Sequence, residues 1–285
     1  MYLYTYLVVW EISKNFDWWR NFGQALSNKT LLPRFEINCD MGEGYGRWKM
    51  GPDDEIMPYI DSANIACGFH AGDYNIMKKT VKLAKQYNVK VGSHPGLPDK
   101  IGFGRRPWEI APEEIYNLII YQTGALYGFL KSEGMELSYI KPHGQLYFYI
   151  EQNEDVMRAA LKAAKTFNVP IVGAKNAHYE QIAKEEGVPF IQEFYCDIDW
   201  NSEGNLVLPA KSQMKTPQEI YDSIYKCGTT GSCFDNNGEE LNIGFGDAPF
   251  SVCLHSDMPT ALENVIKARE AIDKVNKQLG FSLKT

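Results

Sequence analysis

Apolar residues recur along the chain in two alternating rhythms. Seven short runs stand out: Phe35–Cys39, Ser62–Ala66, Val89–Ser93, Ser138–Lys141, Pro170–Gly173, Pro189–Phe194 and Ser251–Leu254. Their length suits buried parallel strands. Between them, apolar positions fall three and four apart, as on one face of a helix. Asp73 caps one such segment, which carries Ile76, Met77, Val81 and Ala84. Pro112, Glu113 and Glu114 open another, and Glu154 and Asp155 precede a third. Thr216 and Glu219 have capping-box spacing, and Asp257 and Pro259 start the last helix. Strand–helix alternation predicts an α/β protein with a parallel sheet. Seven strands without a linker predict a closed or nearly closed barrel, and a doubly wound open sheet is the alternative. The Gly-, Asn- and Ser-rich stretch from Thr229 to Gly246 reads as a long excursion before the last strand.

Residues 1–34 break the rhythm and are read as an N-terminal extension to a domain over 35–285. Tyr2 to Trp10 is apolar and aromatic, but it lacks a basic flank and Glu11 follows at once. A secretory signal is therefore not expected. The six cysteines (Cys39, Cys67, Cys196, Cys227, Cys233 and Cys253) form no C-x-x-C pair. Dispersed cysteines in a chain this large read as reduced thiols and a cytoplasmic protein. With 29 basic and 36 acidic residues the net charge is −7. That argues against nucleic-acid and anionic-membrane partners, and no apolar run is long enough to span a bilayer.

The candidate chemistry is a matter of position. Of five histidines, His70, His94, His143 and His255 fall at or just past the carboxyl ends of predicted strands, and Asp40 ends the first strand. Those ends gather on one face of a parallel α/β fold, where ligands bind. Asn38 and Glu43 flank Asp40, Asn64 and Asp73 flank His70, and Lys141 stands two residues before His143. Arg105 follows a glycine-rich stretch, and Asp197 follows the sixth strand. Asp40, His70, His94, His143 and His255 are the candidate catalytic set. Asn38, Glu43, Asn64, Asp73, Arg105, Lys141 and Asp197 are candidates for holding substrate. Two chemistries stay open: a divalent metal on Asp40, His70 and His94, or direct acid–base catalysis by imidazole. His178 falls on a predicted helix and reads as a surface residue. No P-loop, dinucleotide fingerprint or nucleophile elbow is present.

At these motifs the sequence resembles the LamB/YcsF family. Asn38, Asp40, Gly42 and Glu43 match its N-x-D-x-G-E pattern, and its hallmark SANIACGFHAGD runs unbroken from Ser62 to Asp73. The HPG, KPHG and CLH motifs recur at His94, at Lys141 to Gly144, and at Cys253 to His255. The resemblance implies a seven-stranded β/α barrel of the glycoside hydrolase/deacetylase type. It implies ATP-dependent opening of 5-oxoproline, a small-molecule lactam, to glutamate, with other 5-oxoprolinase-type subunits as partners and ATP used through them. The fold type also admits a metal-dependent deacetylase of an N-acetylated carbohydrate, or a non-catalytic partner-binding barrel. One departure bears on substrate. Where bacterial members read like ADRGY and then LVPR, this chain has Ile198, Asp199 and Trp200, with Lys211 nearest the second Arg. These changes resemble a divergent branch close to the fungal lactam-utilisation proteins.

Overall fold

The structure is a computed structural model. It describes residues 32–174, 176–207, 212–243 and 249–284. Most of the expected extension, and Lys211, lie outside the described residues.

Seven parallel strands close a barrel: β1 (Glu36–Met41), β2 (Ser62–Ala66), β3 (Lys90–His94), β4 (Leu137–Ile140), β5 (Ile171–Ala174), β6 (Phe190–Tyr195) and β9 (Ser251–His255). Each of these strands has two neighbours, and β9 closes the ring between β6 and β1, which excludes the open sheet. The strands fall within one or two residues of the apolar runs. His94 and His255 are the last residues of β3 and β9.

Four helices around the barrel start where the sequence signals place them, and the last starts at Ala261, past the expected Asp257 and Pro259. Helix α1 (Asp53–Ile56) is one turn, and α2 (Tyr74–Gln86) is capped by Asp73, which accepts from the Asn75 and Ile76 amides. Helix α3 (Pro112–Ser132) opens on Pro112. Asn153 separates α4 (Gly144–Gln152) from α5 (Glu154–Phe167), capping the latter. Helix α6 (Ala177–Glu186) carries the exposed His178. Helix α7 (Pro217–Thr230) has the Thr216–Glu219 capping box, and α8 (Ala261–Leu279) is last.

Two local features add to the sequence reading. The KPHG stretch runs straight into α4, which begins at Gly144 with His143 extended at its N-cap. The excursion before the last strand contains an antiparallel hairpin, β7 (Ser232–Phe234) and β8 (Glu240–Asn242). Its turn is tied by Asp235, which accepts from the Asn237 and Glu239 amides.

The hydrophobic core lies between barrel and helices. Outward-facing Ile37, Cys39 and Met41 of β1 are fully buried, as are Val265, Ile272 and Val275 of α8. Burial of each such side chain stabilises by about 1.5–3 kcal/mol. All six cysteines are free and buried. Among the described residues no helix is long and apolar enough to cross a membrane.

Candidate active site

The inward positions of the strands are polar, and their side chains bond across the barrel. Tyr139 on β4 donates to Asn64 Oδ1 on β2 at 2.6 Å. Asn64 Nδ2 in turn donates to Asp40 Oδ1 at 2.7 Å and to Asn38 Oδ1 at 2.8 Å. Lys141, just past β4, points Nζ at Asn38 Oδ1 (3.0 Å), Cys253 Sγ (2.8 Å), Glu193 Oε2 (3.1 Å) and Asp40 Oδ1 (3.3 Å). Strand β4 is not a sheet neighbour of β1 or β9, so these bonds span the interior. An ammonium 1% exposed is tolerable only with this compensation. Burial alone would lower the Lys141 pKa, but Asp40, Cys253 and Glu193 reverse that and keep it charged. Burial would likewise raise the Asp40 carboxyl, yet His94, Lys141 and His255 hold it well below the usual carboxylate range. Asp40 is thus an ionised carboxylate with Oδ1 held from beneath. Its Oδ2 lies 3.2 Å from His94 Nε2 and 3.7 Å from His255 Nε2.

Beside Asp40 stand three more imidazole and carboxylate groups. The His70 and His143 rings stack with centroids 3.7 Å apart. Two glycines permit the tight cover above them. A Cβ at Gly96 would strike the His70 ring, and one at Gly104 (φ +64°) would lie 2.7 Å from His70 Cβ. Backbone carbonyls fix two tautomers, because a carbonyl only accepts. His94 Nδ1, 2.7 Å from the Lys141 carbonyl, carries a hydrogen, and so does His143 Nε2, 2.8 Å from the Phe103 carbonyl. Their other nitrogens, His94 Nε2 and His143 Nδ1, face each other at 2.9 Å.

Glu43 Oε1 adds a further unpartnered acceptor, 3.4 Å from His70 Nε2 and 3.6 Å from His143 Nδ1. Neither His70 nitrogen has a hydrogen bond. Ligand atoms of Glu43, His70, His94 and His143 lie within 4.8 Å of one another. Burial and the neighbouring imidazoles hold His70 and His143 well below the ordinary histidine value. Burial, with Asp40, pushes the Glu43 carboxyl up. Glu43 Oε1, the unbonded His70 nitrogens and the facing His94 Nε2 and His143 Nδ1 converge, and three imidazoles with one carboxylate suit a divalent ion.

His255 behaves differently. Its backbone amide donates to Asp197 Oδ2 at 2.8 Å, and its Nδ1 lies 3.0 Å from the same oxygen. Burial would lower its pKa, but Asp197 and then Asp40 push it up to about 9. At neutral pH it is an imidazolium, with Nε2 toward Asp40. Asp40, His94, Lys141, His143 and His255 line one small cavity. Arg105 reaches it from the loop after β3, and Phe148, Ile198 and Leu206 make an apolar wall.

Four of the five expected catalytic residues therefore meet at the cavity. His70 stands behind His143 and does not line it. Of the expected substrate-holding residues, Arg105 and Lys141 line the cavity, whereas Asn38, Glu43, Asn64, Asp73 and Asp197 do not. Asn64 donates to Asp40 directly, Asn38 reaches it only through Asn64 and Lys141, and Asp197 orients His255. Asp73 is taken up by the α2 cap and by the Gly46 amide. The converging donor set keeps His70 and His94, adds Glu43 and His143, and leaves out Asp40. At the departure after β6, Trp200 donates to the Tyr195 carbonyl, and Asp199 accepts from Ser212 and the Gln213 amide. Sequence reading missed Glu193, Tyr139 and Tyr195. Each is a polar position alternating with Phe194 or Ile140 in an apolar run, and that alternation was the available signal.

The LamB/YcsF family model matches residues 35–283. The lactam utilization protein lamB of Emericella nidulans is 42% identical over 245 residues, covering 86% of this chain and 96% of that one. The 5-oxoprolinase A chain of Pyrococcus abyssi, a subunit by its name, is 41% identical over 245 residues, covering 85% and 94%. The crystal structure of a lactam utilization protein from Thermus thermophilus aligns with a TM-score of 0.78 at 34% identity, covering 88% of this chain and 99% of that one.

Proposed function

The chain belongs to the LamB/YcsF family, and from that premise we propose that it opens a lactam, 5-oxoproline in the first instance, as one component of a multisubunit 5-oxoprolinase-type enzyme. The observation that carries the reading is a charged His255 facing an ionised Asp40 across one cavity. An unstrained five-membered lactam resists hydrolysis, which is the reason to couple opening to ATP. This chain has no P-loop, so ATP is used through partner subunits.

Each residue has a distinct part. ATP at a partner subunit phosphorylates the lactam oxygen, and water held by Asp40 Oδ2 adds to the activated ring carbon. The ring C–N bond breaks, the departing nitrogen takes the proton of His255 Nε2, and a second water releases phosphate from the acyl phosphate so formed. One proton of the first water passes over Asp40 Oδ2 back to His255, which restores the imidazolium. Asp197 keeps His255 charged and aimed, and the Asn38–Asn64–Lys141 network holds Asp40 ionised. Glu43, His70, His94 and His143 would hold a divalent metal. Such an ion supplies carbonyl polarisation or a more acidic water.

The test is to follow glutamate from 5-oxoproline and ATP with the chain alone, with its partner subunits, and with His255→Gln in the same complex. Partner-dependent glutamate that falls at least about 100-fold in His255→Gln is expected. Full activity of that variant would remove His255 as the proton donor. No glutamate from the wild-type complex would remove the lactam reading.

A further inference from the structure

The cavity at the site holds about 30 Å³, room for one or two waters. A five-membered ring bearing a carboxylate does not fit until something at the mouth moves. Three cationic side chains line it among the described residues: Lys141, His255 and Arg105. Two are committed. Lys141 is saturated by Asn38, Asp40, Cys253 and Glu193, and His255 is held between Asp197 and Asp40.

Arg105 is committed less. Its guanidinium lies over the Phe103 ring, 4.9 Å from the centroid, and one of its five donors meets one carboxylate oxygen, Asp257 Oδ2, at 3.2 Å. The other oxygen, Asp257 Oδ1, is buried with no hydrogen-bond partner. This single bond joins the loop after β3 to the loop after β9. Arginine prefers two parallel bonds to a carboxylate, and here it makes one. The apolar lining of Phe148, Ile198 and Leu206 accepts methylenes and offers no charge.

We infer that Arg105 is the specificity-determining residue of this site. It exchanges Asp257 for a carboxylate on the substrate, so the chain selects cyclic amides that carry a carboxylate over neutral ones. The inference rests on the lactam reading for the word cyclic, not for the carboxylate.

The experiment is calorimetric titration of the full chain with acid and neutral partners of matched shape. The pairs are 5-oxoproline against 2-pyrrolidinone, and N-acetylglycine against N-methylacetamide. Wild type should bind the acid of a pair more tightly. Arg105→Gln should lower that acid preference about 10- to 100-fold, the loss of a charge-assisted pair, and leave neutral binding unchanged. Arg105→Lys, which keeps charge but not the fork, should fall between. Asp257→Asn, which removes the competitor, should strengthen acid binding several-fold. Melting curves of each variant separate lost binding from lost fold. Equal weakening of acid and neutral ligands in Arg105→Gln overturns the proposal. So does a wild-type chain with no acid preference in either pair. Arg105-dependent preference for N-acetylglycine without binding of 5-oxoproline keeps the carboxylate reader and removes the lactam. Glutamate formation by the complex without acid preference does the reverse.

Discussion

His255 works because two carboxylates disagree with its burial. Burial favours the neutral ring, and Asp197 with Asp40 pushes the pKa up to about 9. As the acid, it must be protonated, so kcat should be flat near neutrality and fall above pH about 9. Asp197→Asn removes the larger charge and should slide that alkaline limb down toward the ordinary value of about 6.5. A pH–rate profile of the two proteins checks this, and an unmoved limb would assign it to another group. Lys141 makes a second residue-level case. It is buried against Asp40 and Glu193. Lys141→Met leaves two carboxylates without their cation and should cost about 3–5 kcal/mol in urea unfolding. A loss below about 1 kcal/mol would mean that those carboxylates take up protons instead of remaining charged.

At the scale of elements, the barrel strands and most caps were legible because their signals are local. Apolar runs of strand length, the Asp73 cap and the Thr216–Glu219 box all stand in the sequence as they stand in the fold. The split inside the strands was not legible. Outward positions pack under helices, while inward Asn38, Asn64, Tyr139 and Glu193 bond to one another, and only closure of the barrel brings them together. For the same reason Asn38 and Asn64 read as substrate contacts, whereas the structure ties them into the network beneath Asp40. Asp73 carried two readings, cap and substrate holder, and the geometry favours the cap. Asp73→Ala should therefore lower stability by about 1 kcal/mol, or about 2–4 °C in melting temperature, with KM unchanged. A KM raised tenfold at unchanged stability would return Asp73 to the substrate. The β7–β8 hairpin was missed because its strands are three residues each. The Asp-Asn-Asn-Gly turn at Asp235 was the one local cue.

The whole molecule joins these pieces through groups that sit on different strands, so ligand and proton binding should both register as global stability. Glu43, His70, His94 and His143 come from four successive strand ends. A divalent ion held there at about 100 times its Kd adds about 2.7 kcal/mol. A chelator should lower the wild-type melting temperature and leave His94→Ala unchanged. Proton linkage acts on the same scale. His255 ties β9 to the Asp197 loop after β6, and its folded pKa of about 9 exceeds the unfolded value of about 6.5. Its contribution, about 3 kcal/mol, is full below pH about 6.5 and is lost as pH rises to about 9. Glu151, at the end of α4, is pushed by burial and Glu193 up to about 8. Its folded form also binds the extra proton, so stability falls further as pH rises from about 4.5 to about 8. Both groups slope the same way, and the barrel should weaken on the alkaline side of neutrality. Urea unfolding at half-unit steps from about pH 5 to about pH 10 measures the slope. Glu151→Gln should flatten its lower half and Asp197→Asn its upper half, since each removes one proton-binding difference between folded and unfolded chain. A curve of unchanged shape in both variants would mean that neither group carries the linkage.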